Sequence, residues 1–205
     1  MSYVFKPEKS FIARLYWQEP GFIALEDWEA SKSRVHRIGV GFDGEAPWGN
    51  EGWLFAGRDT YSQPSESHIL RKIVFKAQFW FGCYETAGEY DYEIRSAHVD
   101  NRDRRWRYFN RRLDVSRNGY LGLYEAPGEV GLPPQDTGMQ VWRLENFNPA
   151  QCVDGAVFPN VDLISLHGLT VKRLYESDYP YLNQQDGEPG KLALKILEAG
   201  VARPE

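Results

Sequence analysis

The chain has 205 residues, 42% apolar and 26% charged, which places it among ordinary globular sequences and excludes a disordered one. A net charge of −5 argues against nucleic acid or a membrane surface as the partner of the whole chain. No apolar run approaches the roughly 18 residues of a membrane span. One domain, 1–205, with a single sizeable core accounts for this length. Aromatic residues reach 15%, and 19 Gly and 12 Pro supply turns, so the mixture points to an all-β fold.

Met1–Leu15 scatters Lys6, Glu8, Lys9 and Arg14 along its length and lacks the continuous apolar core of a secretory signal. The expected location is cytoplasmic, or outside the cell after release without a recognisable signal peptide. Phe22–Leu25 is a short apolar run, and Val35–Phe42 alternates toward a turn at Asp43-Gly44. Trp48 and Trp53 bracket a flexible polar loop, and Trp53-Leu54-Phe55 continues from it. Ile69–Cys83 sets Ile73, Phe75, Ala77, Phe79 and Phe81 on one parity, as one long strand or two strands with a bend. Tyr84–Ala97 alternates again, with Tyr90, Tyr92 and Ile94 opposite Glu89, Asp91, Glu93 and Arg95. Asp100–Arg105 reads as an exposed loop. Leu113–Val115 and Tyr120–Tyr124 form two strands joined at Asn118-Gly119. Gly128–Gly138 is loop around Pro133-Pro134, and Val141–Leu144 is strand-like. Val161–Leu166 and Leu169–Leu174 flank a turn at His167-Gly168. Leu192, Leu194 and Ile196 alternate as a strand does, although Ile196-Leu197 followed by Gly200 also suits a short helix.

One segment is more specific than the rest. Leu113-Asp114-Val115 is followed by Asn118-Gly119, then by Leu121 and Leu123 in alternation, and after a loop by Gln140-Val141-Trp142. In this order the residues resemble a single repeat of the ricin-type lectins. The resemblance covers about a sixth of the chain. It implies a β-trefoil-like domain with long loops; a β-sandwich or jelly roll is the alternative all-β architecture. A large Trp closing such a repeat anchors it in a shared core, and a Gln beside it can bond neighbouring backbone. By the same resemblance, Asp114, Asn118 and Gln140 would hold sugar hydroxyls. Tyr124 is the candidate stacking platform, placed by its position at the strand end. Fainter openings near Ile38 and Leu182 stand roughly a third of the chain away on either side. Trp48 and Trp53 are a further candidate platform, or two side chains packing a hairpin onto the core.

Other constellations point elsewhere. Glu85, Glu89, Asp91 and Glu93 lie beside Trp80, Phe81, Tyr84, Tyr90 and Tyr92, as a jelly-roll hydrolase or lyase with paired carboxylates would need. Asp91 and Glu93 share a strand face and are not the cross-cleft pair that this chemistry requires, so a solvated strand face is the simpler account of them. Arginines 102, 104, 105, 107, 111 and 112 crowd Trp106, Tyr108 and Phe109. Carboxylates dilute that patch, and nucleic-acid binding is not expected. His36, His68, His98 and His167 lack metal-ligand spacing. Cys83 and Cys152 are distant, and two buried thiols or a disulfide fit them. The function expected from the sequence is therefore lectin-like binding of a glycan or glycoconjugate, without catalysis, metal or cofactor. Carboxylate hydrolysis and a structural or protein-interaction role are the alternatives.

Overall fold

The computed structural model describes residues 3–19, 35–41, 52–56, 77–99, 106–125, 140–176 and 179–203. Phe22–Leu25, the Asp43-Gly44 turn, Trp48, Asp100–Arg105 and the Gly128–Gly138 loop lie outside them. Among the described residues the strands are β1 (Val4–Phe5), β2 (Phe11–Gln18), β3 (Val35–Gly41), β4 (Gly52–Ala56), β5 (Gln78–Thr86), β6 (Glu89–Val99) and β7 (Trp106–Val115). They continue with β8 (Leu121–Glu125), β9 (Trp142–Glu145), β10 (Val157–Ser165), β11 (Lys172–Glu176), β12 (Tyr179–Asn183), β13 (Glu188–Pro189) and β14 (Lys191–Ala199). Helical structure among these residues is limited to 3-10 turns at Pro7–Lys9 and Pro149–Gln151, so the all-β expectation holds. No helix among them is long and apolar enough to cross a membrane.

The antiparallel pairings close on themselves. A nine-strand circuit runs β2–β14–β10–β9–β6–β7–β8–β4–β3 and returns to β2, and β5 bridges β2 and β6. That bridge also closes a six-strand circuit, β2–β5–β6–β9–β10–β14. Closure corrects the sandwich alternative, in which two separate sheets would face each other.

The pairings repeat three times along the chain. In β2–β5, in β6–β9 and in β10, β11, β12 and β14, the second and third strands form a hairpin: β3 with β4, β7 with β8, β11 with β12. The first strand of each unit pairs with its fourth. The fourth then pairs with the first strand of the next unit, β5 with β6, β9 with β10, and β14 back to β2. The three hairpins meet each other through Trp53↔Gly122, Tyr181↔Phe55 and Tyr120↔Asn183.

Alternation explains this shape. One parity of each strand faces a common core to which every unit contributes, for instance Leu15, Ile38 and Phe81, then Leu113, Leu121 and Trp142, then Val161, Leu182 and Leu194. Phe11 stacks on Phe81 with centroids 4.7 Å apart. On the outer face, Ile12, Trp80 and Ala97 form a second cluster, covered by Phe5, Leu197 and Val201.

Three expectations change. Tyr84–Ala97 is not one alternating stretch, because β5 and β6 reverse at Ala87-Gly88, both with positive φ (52° and 87°). Such a tight turn favours Asn-Gly or Asp-Gly, and Ala in that conformation leaves no signal. Phe11–Gln18, which carried no strand expectation, forms β2; apolar residues on both of its faces hide the alternation. The C-terminal ambiguity resolves as the strand β14, and Gly200 follows with φ +68°.

Candidate functional site

Strand β7 places Leu113 in the core and turns the next residue, Asp114, to the outer face, where it is half-buried. The register aligns Asp114 with Gly122 of β8, and Gly122 with Trp53 of β4. The three residues form a row across three strands, with Asp114 and Trp53 roughly 10 Å apart at two strand spacings. The central position has to be small. A Cβ at Gly122 would lie 2.9 Å from the Tyr124 ring, so that ring folds over the glycine. Burial pushes the pKa of the Tyr124 hydroxyl up and the Asp114 charge adds to that, while Ser116 and Trp53 nearby lower it by less. Asp114 Oδ1 accepts the Val115 N–H at 2.7 Å, yet burial still pushes its carboxyl above the usual aspartate value.

Trp53, Asp114 and Tyr124 are therefore brought together. Asn118 stands beyond them at the exposed hairpin tip, and its carbonyl, not its side chain, accepts Asn183 Nδ2 at 3.0 Å. Gly119 beside it has φ +82°, and a Cβ there would meet Asn183 Oδ1 at 2.6 Å, so this turn docks the second hairpin on the third. Gln140 is half-buried next to the core residues Val141 and Trp142. Its amide reaches the Val141 carbonyl only at 3.5 Å, and no hydrogen bond joins it to Asp114 among the described residues. Trp142 is fully buried, and its indole N–H donates to the Leu113 carbonyl at 3.2 Å, which fixes β7 directly beneath the site.

Aromatic residues that the sequence reading did not select extend the row. Trp53 approaches Tyr120 and Tyr181 at 6.4 and 6.0 Å, and Tyr181 packs on Phe55 at 4.5 Å. Tyr120 donates its hydroxyl to Glu176, and that bond, more than burial, pushes its pKa up to about 12. The available signal was parity, since Trp53 and Phe55 share a face of β4 as Tyr179 and Tyr181 share one of β12.

The acidic stretch of β6 is engaged elsewhere. Glu93 is buried, with Arg95 at 2.6 Å and Arg112 at 2.5 Å on one oxygen and the Tyr84 hydroxyl donating to the other at 3.1 Å. Glu85 pairs with Lys6 at 2.8 Å, and that hydrogen bond holds its carboxyl below the usual range. Both cysteines are free thiols. Burial raises Cys83 to about 11 and Cys152 to about 12, so both stay protonated at neutral pH and neither is poised as a nucleophile. Among the described residues no three His, Cys, Asp or Glu side chains gather where a metal ion could be held.

Comparison with protein-family models gives no match, and neither do the comparisons with curated proteins and with solved structures.

Proposed function

We propose that the chain is a carbohydrate-binding protein of β-trefoil architecture that holds a glycan without transforming it. The threefold repetition of strand pairings, with a six-strand circuit and three hairpins in mutual contact, supports the architecture. The row Trp53–Gly122–Asp114 beneath Tyr124 carries the functional reading. A carboxylate on the row accepts sugar hydroxyls, and aromatic faces beside it stack on the apolar face of the ring. Glu93, which a paired-carboxylate hydrolase would need free, is committed to Arg95 and Arg112, and this favours binding over hydrolysis.

A glycan array probed with the purified chain tests the reading. Specific binding is expected, and Asp114→Ala should lower it at least tenfold while the variant keeps the parent's thermal unfolding profile. Failure of the folded chain to bind any glycan, or undiminished binding by Asp114→Ala, would overturn it.

A further inference from the structure

A second polar cleft lies on the barrel wall between the second and third units. Strand β6 meets β9 at Tyr92↔Trp142, so Asp91 and Arg143 turn together to the outer face, and Arg143 pairs in turn with Ile164 of β10. These residues, with Glu145, Ser165 and the exposed Leu166, enclose about 230 Å³. That is less than the roughly 300–1,000 Å³ of pockets for drug-sized ligands, and leaves room for one small molecule.

The cleft is built around an under-satisfied carboxylate. Asp91 is 3% exposed, yet among the described residues its oxygens accept only the Arg143 Nε–H at 3.3 Å and the Tyr3 hydroxyl at 3.4 Å. Charge-assisted hydrogen bonds to a carboxylate are normally nearer 2.7–2.9 Å, and a buried charge requires such partners. Arg143 does not answer to Asp91 alone, since Glu89 lies 3.9 Å from its NH1. Glu145 adds another negative charge to the wall. Ser165, which also lines the cleft, has a buried hydroxyl without a hydrogen-bond partner among the described residues. The local balance is acidic, the donors around Asp91 are distant, and Ile164 and Leu166 add apolar surface.

We infer that this cleft binds a small hydroxylated ligand bearing a protonated amine, the chemistry of an amino sugar. The ammonium donates to Asp91, with Glu145 as the second negative group, while Arg143 donates to ring hydroxyls and Leu166 covers an apolar edge. The inference does not rest on the Trp53–Asp114 site, from which it is separate.

The test is an NMR titration of the full chain with glucosamine, at a pH low enough to keep its amine protonated. Glucose and N-acetylglucosamine, which lack that charge, serve as controls. Glucosamine should shift amide signals on β6, β9 and β10 and bind at least tenfold more tightly than either control. Asp91→Asn should weaken it at least tenfold. If that variant does not fold, Glu145→Gln at the exposed rim should weaken it several-fold. Asp114→Ala should leave it unchanged, which separates this site from the proposed glycan site. Absence of shifts on those strands, equal response to the uncharged sugars, or unaltered affinity in the folded cleft variants overturns the inference.

Discussion

At Asp114, burial and hydrogen bonding oppose each other. The Val115 N–H favours the carboxylate, desolvation disfavours it, and the result is a raised carboxyl pKa. Two consequences follow with opposite signs. The folded chain holds this proton more tightly than the unfolded chain, whose value is about 3.9. Stability from this group is therefore lost as pH rises from the unfolded value through the folded one, and regained as pH falls. On the proposed glycan reading, binding should behave in reverse, because the charged form of Asp114 is the better acceptor for hydroxyls. Affinity measured by calorimetry on lowering pH from neutrality should begin to fall before the ordinary aspartate range is reached. Asp114→Asn should flatten that profile. A wild-type affinity that stays constant down to the ordinary range would exclude Asp114 as the hydroxyl acceptor. Asp114 was legible in the sequence because its neighbours in the motif are its neighbours in the hairpin. Tyr120, Tyr181 and Phe55 were not, because they meet only when hairpins of different units are in register. Gln140 was selected by motif position alone, and the fold sets it against Val141 instead.

Among the elements, β5, β6 and β7 are joined on the outer face by one carboxylate. Glu93 of β6 accepts from Tyr84 of β5, from its own neighbour Arg95 and from Arg112 of β7, and Arg203 of the C-terminal segment approaches its second oxygen at 3.9 Å. Breaking a buried ion pair by removing one partner typically costs about 3–5 kcal/mol, because the other charge is left in a poor environment. Glu93→Gln keeps the shape and removes the charge, so urea unfolding should show a loss of that order. Glu85→Gln on β5 is the fitting control, since its ion pair with Lys6 is half-exposed and its loss should move the midpoint far less. Equal effects of the two substitutions would mean that the buried cluster does not hold these strands. The alternation of β6 was visible in the sequence. That both Asp91 and Glu93 are buried was not, because strands β5 and β7 and the terminal segments supply the cover.

Across the whole molecule, the three units are interlocked. Between the first and second units, pairing runs the length of the hairpin from Gln78↔Ala97 to Thr86↔Glu89. Within the second unit, β6 and β9 meet only at Tyr92↔Trp142 among the described residues. The third unit closes on the first through an extended ladder from Lys191↔Gln18 to Ala199↔Phe11. The strand partners of each unit thus lie largely in its neighbours, and so does the cover for its core face: Trp142, Phe81 and Leu194 belong to one cluster. A single unit cannot bury that face alone. The openings near Ile38 and Leu113 fall on second strands of their units and that near Leu182 on a third strand, so they do not mark equivalent positions. The exchange of strands between units is non-local and leaves no mark in any one segment. A peptide spanning 89–145 carries the whole Leu113–Trp142 motif, including Asp114, Tyr124 and Trp142, and keeps the β6–β7 and β6–β9 pairings. It lacks Trp53 together with β5 and β10, the partners of β6 and β9 in the neighbouring units. Circular dichroism and thermal melting should show no cooperative transition for it, while the full chain melts in a single one, as expected for a shared core. A cooperative melt of the peptide would mean that the motif folds as an autonomous hairpin module and that barrel closure does not govern the site.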